Sequence, residues 1–167
     1  TFASMWRLWC VGLIVLSAQM KAQLPPLIDR EVFFADPKLA GVQVSPDGKY
    51  LSFLRPYQGA LNIWLQPIEE GRLKEAFPIT QSPRPILTYF WTHDSRYILY
   101  AQDRDGDEND HLYRIPISEA VPGKIPSPTD LTPREGIKVL LYSLPVDRPD
   151  IALIGLNDRD PSLHDLY

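Results

Sequence analysis

Val42-Gln43-Val44-Ser45-Pro46-Asp47-Gly48-Lys49-Tyr50-Leu51-Ser52-Phe53 is the stretch whose reading decides the fold. Apolar and polar residues alternate on either side of a short polar centre, which is the pattern of two strands joined by a turn. Ser45-Pro46-Asp47-Gly48 suits a type I turn. Pro sets φ at the second position, Gly takes a positive φ at the fourth, and the Ser hydroxyl can cap the turn's backbone. Lys49 then opens the return strand.

The same arrangement recurs in Tyr89-Phe90-Trp91-Thr92-His93-Asp94-Ser95-Arg96-Tyr97-Ile98-Leu99-Tyr100, with Asp94 in the place of Asp47. Ser95 replaces the glycine there, so this second turn is expected to differ slightly. A fainter copy runs from Val139-Leu140-Leu141-Tyr142-Ser143-Leu144 through Asp147 to Asp150 and into Ile151-Ala152-Leu153-Ile154. Asn62-Ile63-Trp64-Leu65 continues the first unit as His111-Leu112-Tyr113-Arg114 continues the second, and Asp165-Leu166-Tyr167 opens the equivalent part of the third. Ile79-Thr80 and Leu131-Thr132 close the first two units.

Four short strands per unit at a period of about 50 residues predict an all-β fold, a partial β-propeller of four-stranded antiparallel blades. Two blades are complete and one is partial, at about 42–80, 86–132 and 138–167, so 42–167 reads as an incomplete propeller. Closed propellers have about four to eight blades. The third copy ends within its third strand, so the sequence reads as a truncated piece of a longer polypeptide. Trp64, Trp91, Tyr100 and Tyr113 recur at matching places and are expected to pack between blades, because a blade buries its faces only against its neighbours.

The chain has 167 residues and a formal net charge of −4, with no Lys/Arg cluster. Phosphate binding needs a basic face, which argues against a nucleic-acid partner. The 17 prolines fall mostly between apolar runs and mark turns. Met5, Arg7 and the apolar run from Trp9 to Leu16, followed by Ser17, Ala18 and Ala22, have the layout of a secretory signal peptide. Residues 1–22 are thus read as upstream residues plus signal, cut after Ala22, with a lead-in segment over 23–41. The run is shorter than the roughly 20 residues of a membrane span, so no stable anchor is expected. Cys10 lies in the leader, and the mature chain would carry no disulfide.

Arg30-Glu31-Val32-Phe33-Phe34, Ser45-Pro46-Asp47-Gly48-Lys49 and Asn62-Ile63-Trp64 resemble the opening of bacterial prolyl-oligopeptidase-family serine peptidases, the group of dipeptidyl and acylaminoacyl peptidases. The resemblance extends through Asp103-Arg104-Asp105-Gly106-Asp107-Glu108-Asn109, His111-Leu112-Tyr113, Asp130-Leu131-Thr132-Pro133 and Asn157-Asp158-Arg159-Asp160-Pro161 to His164-Asp165. It implies an N-terminal propeller that gates peptide access to a C-terminal α/β-hydrolase domain, and a secreted or periplasmic location. That domain would carry its serine on a G-x-S-x-G elbow. No such pattern occurs in this chain, so no catalytic residue is assigned and the chain is expected to be inactive by itself. The alternative is a free-standing periplasmic propeller of the TolB kind that binds a protein or ligand.

Three other groups invite a functional reading. Asp103, Asp105, Asp107 and Asn109 present oxygen ligands at alternate positions, as calcium loops do. Gly106 falls at the fourth place rather than the sixth, however, and Arg114 stands where a bidentate Glu is needed. A solvated hairpin is therefore expected, with no metal and no cofactor. Glu69-Glu70, followed by Gly71, reads as an exposed turn rather than an anchor for a substrate amine. The two acids around Arg159 are expected to pin a loop through charge-assisted hydrogen bonds, the alternative being a place facing the central channel.

Overall fold

The computed structural model describes residues 38–167. The signal peptide, its cleavage point, Cys10 and most of the lead-in lie outside the described residues. The described residues form three successive antiparallel sheets and almost no helix, so the all-β expectation holds. No helix among them is long and apolar enough to cross a membrane.

Sheet I runs in the order β1 (Ala40–Val44), β2 (Tyr50–Tyr57), β3 (Ala60–Glu69), with β5 (Phe77–Pro78) also on β3. Gln58 and Gly59, both at positive φ (52° and 93°), join β2 to β3, since a two-residue loop of this hand matches the twist of the strands it links. Glu70 and Gly71 do the same at the other end of β3 and add a short strand, β4 (Arg72–Leu73). The first sheet therefore has five strands where four were expected. Sheet II is the meander β6 (Tyr89–Trp91), β7 (Tyr97–Gln102), β8 (His111–Pro116), β9 (Thr129–Asp130), with a single 3-10 turn at Ile117–Glu119. Sheet III is β10 (Val139–Ser143), β11 (Leu153–Asp160), β12 (Leu163–Leu166).

The turn between β1 and β2 forms as its sequence demands. Gly48 N–H donates to Ser45 O at 2.8 Å, and Gly48 has φ +73°. Ser45 Oγ donates to Asp47 Oδ1 at 2.7 Å and accepts from Tyr50 N–H at 2.9 Å. The β6–β7 turn repeats this contact for contact. Thr92 Oγ1 donates to Asp94 Oδ1 and accepts from Tyr97 N–H, and Ser95 N–H donates to Thr92 O. The expected difference at Ser95 is absent, because Ser95 itself takes φ +59°. Its hydroxyl accepts Asp47 N–H at 3.0 Å, a bond that ties the first turn to the second and holds this uncommon conformation in place.

Strand register decides which side chains meet. Pairing Leu54 with Ile63 and Ile98 with Ile115 puts Leu54, Ile63 and Leu65 opposite Trp91, Ile98, Tyr100 and Ile115 in one core between sheets I and II. The alternate residues of sheet II, Leu99 and Leu112, pack with Ile137, Val139 and Leu156 in a second core against sheet III. Trp91 and Tyr100 thus pack between sheets as expected, with Tyr113 partly buried against the first core. Trp64 pairs with Phe53 as Tyr113 pairs with Tyr100, so it takes the equivalent face of sheet I, the one turned away from sheet II, which no sheet among the described residues covers. There it meets Tyr57 edge-on at 5.8 Å and Arg55 at 4.8 Å.

Within the first core lies a polar contact. Ser52 is fully buried, and its Oγ accepts Trp91 Nε1–H at 2.8 Å and lies 2.9 Å from Tyr89 Oη. Tyr89 O–H donates to Gly41 O at 2.7 Å, where Gly41 (φ +57°) opens a bulge in β1.

Two predictions follow from this contact. Ser52→Ala strands the Trp91 N–H in the core and should lower unfolding free energy by about 1–3 kcal/mol. The Ser52→Ala/Trp91→Phe pair, measured by denaturant titration, should lose less than the two single changes together. Burial, only partly offset by Ser52, pushes the Tyr89 hydroxyl up to about 12. The neutral form is favoured in the folded state, so its contribution should be whole below pH ~10 and fade as pH rises through about 12 in alkaline unfolding scans.

Candidate functional site

The loop between β7 and β8 carries most of the charge that the sequence singled out. Gln102 pairs with His111 at its base, and Asp105, Gly106 and Glu108 all take positive φ (54°, 87° and 61°). Asp103 leaves the loop to bind Arg84 through both oxygens, at 2.8 and 3.0 Å. Asp107 turns inward and accepts the backbone N–H groups of Arg104 and Asn109. The Asn109 bonds, chiefly its backbone N–H, hold the Asp107 carboxyl below the usual range. Asp103 and Asp107 are thus committed to separate partners, and Asp105 is exposed. No three His, Cys, Asp or Glu side chains among the described residues converge as a metal site.

What the loop does organise is a cluster around Asp130 on β9. Asp130 Oδ2 accepts Arg104 Nη2 at 2.6 Å and lies 2.8 Å from His111 Nδ1, while its Oδ1 accepts Thr132 N–H at 2.8 Å. The His111 side chain is only 3% exposed and stacks on Tyr113, to whose hydroxyl Arg104 Nε also reaches at 3.4 Å. Sequence reading placed Arg104 and Asp130 only within quoted motifs and missed that they meet. The available signal was positional: Asn62 stands where His111 stands in the second unit. Asn62 bonds across to Ser82 as His111 does to Asp130, and Ile63 N–H and Leu112 N–H each donate to the threonine that closes their unit.

Two clefts flank this region. One of about 400 Å³ lies beside the acidic loop, with Arg84, Asp103, Glu108, Asp110 and Lys138 at its walls. The other, about 430 Å³, runs along the first strand of each sheet, where Val44, Phe90 and Tyr142 are exposed beside His93 and Ser143. Such surfaces can hold a peptide by apolar contact and hydrogen bonds. Two of the three histidines have partners: His93 Nε2 meets Leu144 O at 2.8 Å within the second cleft, and His111 meets Asp130. His164 Nε2 is buried without a partner.

Glu69 ends β3 and meets Lys74 at 3.1 Å, and Glu70 sits in the exposed turn. Asn157–Asp160 are not in a loop but complete β11, because the β11–β12 hairpin turns only after Asp160. From there Arg159 grips Asp165 on β12 through two bonds of 2.6 and 2.7 Å, and Asp158 pairs with Arg134. The Arg159 bonds keep the Asp165 carboxyl below its ordinary range.

No family model matches the chain. It is 37% identical over 142 residues, 84% of its own length, to dipeptidyl aminopeptidase BIII of Pseudoxanthomonas mexicana, of which this covers 19%. It is 29% identical over 157 residues to dipeptidyl peptidase family member 6 of Caenorhabditis elegans, covering 93% of the chain and 21% of that protein. The chain is therefore dipeptidyl-peptidase-like over most of its length, and it spans about a fifth of the length of these relatives.

The loop geometry yields two expected outcomes. Gly106→Ala places a side chain at φ +87° with its Cβ 3.2 Å from Arg84 Nη1, and should destabilise the full chain by about 1–2 kcal/mol in denaturant titrations. Millimolar calcium or EDTA should leave the melting temperature unchanged, since Asp103 and Asp107 already have partners. A calcium-dependent rise would overturn that assignment.

Proposed function

We propose that the chain forms part of a non-catalytic β-propeller in a serine peptidase that shortens peptides from the amino end, and that this propeller gates the entry of peptides to a separate α/β-hydrolase domain. The observation that carries the reading is the 37% identity with dipeptidyl aminopeptidase BIII across most of the chain. Three consecutive antiparallel sheets with matching turns at Asp47 and Asp94, stacked through both faces of the middle one, support a blade-like repeat. The exposed apolar row on the first strands of the sheets, Val44, Phe90 and Tyr142, suits contact with an extended peptide. Export to the periplasm or medium goes with this reading, on the strength of the charged-then-apolar leader.

Incubation of the full chain with a dipeptidyl p-nitroanilide and with a fluorophosphonate probe tests the non-catalytic role. Neither hydrolysis above buffer nor labelling is expected. When the chain is joined to the hydrolase domain encoded in its own reading frame, hydrolysis should appear and decline as the substrate lengthens towards a folded protein. Probe labelling of a serine in this chain would overturn the proposal, and a reading frame without a hydrolase domain would favour a binding module.

A further inference from the structure

Arginine use in the described residues follows a rule with one exception. Arg84, Arg96, Arg104, Arg134, Arg148 and Arg159 each reach an aspartate. Arg55 and Arg72 stand in solvent. Arg114 does neither. It is the one arginine among the described residues that is not exposed, and none of their carboxylates lies within ion-pair distance of it. Its Nε is fully buried and has no hydrogen-bond partner. The guanidinium lies 4.7 Å over the ring of Tyr97. That contact offsets part of its lost hydration but cannot accept the N–H groups in the guanidinium plane.

The β7–β8 register explains the placement. Leu99 pairs with Arg114, which turns Arg114 to the same face as Leu99 and Leu112, towards sheet III. Ile151 and Ala152, expected in a strand, stay outside β11 and leave a cleft of about 240 Å³ between the two sheets. Its walls are apolar at Leu99, Leu131, Leu144 and Ile151, with Arg114 and Thr92 as polar groups. Two other charges line it. Arg96 is neutralised by Asp94 at 2.5 Å, and Asp150, 62% exposed, is held by Arg148 at 3.3 Å. These charges pair off, and among the described residues the charge of Arg114 remains unmatched.

We propose that this cleft binds a carboxylate carried on a small apolar group, with the Arg114 guanidinium donating to the carboxylate and the apolar walls taking the remainder. A planar fork of N–H donors fits two carboxylate oxygens, and a half-buried cation gains most from such a partner. Two sources share this chemistry, a free aliphatic acid and the C-terminus of a peptide ending in an apolar residue.

The test follows the ¹⁵N–¹H resonance of Arg114 Nε in the full chain during titration with hexanoate, N-acetyl-leucine, N-acetyl-leucinamide and hexanol. A saturable shift with one or both carboxylates, and none with the amide or the alcohol, is expected. A response to hexanoate alone assigns the free acid, and one to N-acetyl-leucine alone assigns the peptide terminus. Arg114→Gln, followed by amide resonances of the cleft, should weaken binding at least about tenfold. Ala152→Leu, which fills the cleft from the sheet III side, should do the same with Arg114 untouched, so the result does not depend on how well the arginine variant folds. An Nε resonance that no carboxylate moves, or equal affinity in Ala152→Leu, would overturn the site.

Discussion

The hydroxyl of Ser52 sits inside an apolar layer between two aromatic residues of the next sheet, bonded to Trp91 and within reach of Tyr89. This is the directional contact inside the core between sheets I and II. Apolar packing is non-directional, so Leu54, Ile63, Leu65, Ile98 and Ile115 could slide against one another with little penalty. A buried N–H cannot slide away from its acceptor without losing the bond entirely. The contact therefore sets how the two sheets lie on each other. Tyr89 extends it to the bulge at Gly41, so the first strand of sheet I is placed by the first strand of sheet II.

The turns carry the same coupling outward. Ser45 and Thr92 each close a turn on the aspartate two residues ahead, and partial burial of Asp47 and Asp94 is outweighed by these bonds together with the backbone N–H and the charged side chain of Lys49 and of Arg96, which hold both carboxyls below their usual range. A rigid turn is a useful anchor. The bond from Asp47 to Ser95 joins two turns that are far apart in the chain, and Gln43 does likewise by donating to Tyr89 O at 2.9 Å. On its other face sheet II meets sheet III through Leu99, Leu112 and Val139, with Val139 N–H donating to Asp110 O at 2.8 Å. A sheet that is apolar on both faces needs two neighbours, and that requirement turns a row of hairpins into a stack.

Charge is handled differently at the ends of the sheets. The loop from Asp103 to Asp110 looks like a cation site when its acids are counted, yet two of them, Asp103 and Asp107, hold Arg84 and the loop's own backbone. Arg104, from the same loop, reaches Asp130 and brackets His111. These pairs shape the loop beside one cleft, while Arg114, without a carboxylate partner among the described residues, faces another. The kinship with dipeptidyl peptidases covers this framework of sheets and loops.

Much of this was legible in the residues alone. The repeat, the two strands around Ser45-Pro46-Asp47-Gly48, the positive φ of Gly48 and the burial of Trp91 and Tyr100 follow from local preferences and alternation, which act over a few residues. Other features were not. Trp64 takes the face that Tyr113 takes in the aligned unit, but what covers that face depends on a neighbouring sheet that strand alternation does not specify. Ser95 takes a glycine's conformation because a hydroxyl bond from the neighbouring sheet holds it there. Which aspartate takes which arginine, and which half-buried arginine finds none among the described residues, depends on side chains brought together from distant parts of the chain. Sequence by itself determined the strands and turns because their energies are local. The pairing of charges and the conformation held at Ser95 were decided by tertiary structure, because they exist only once sheet packs on sheet.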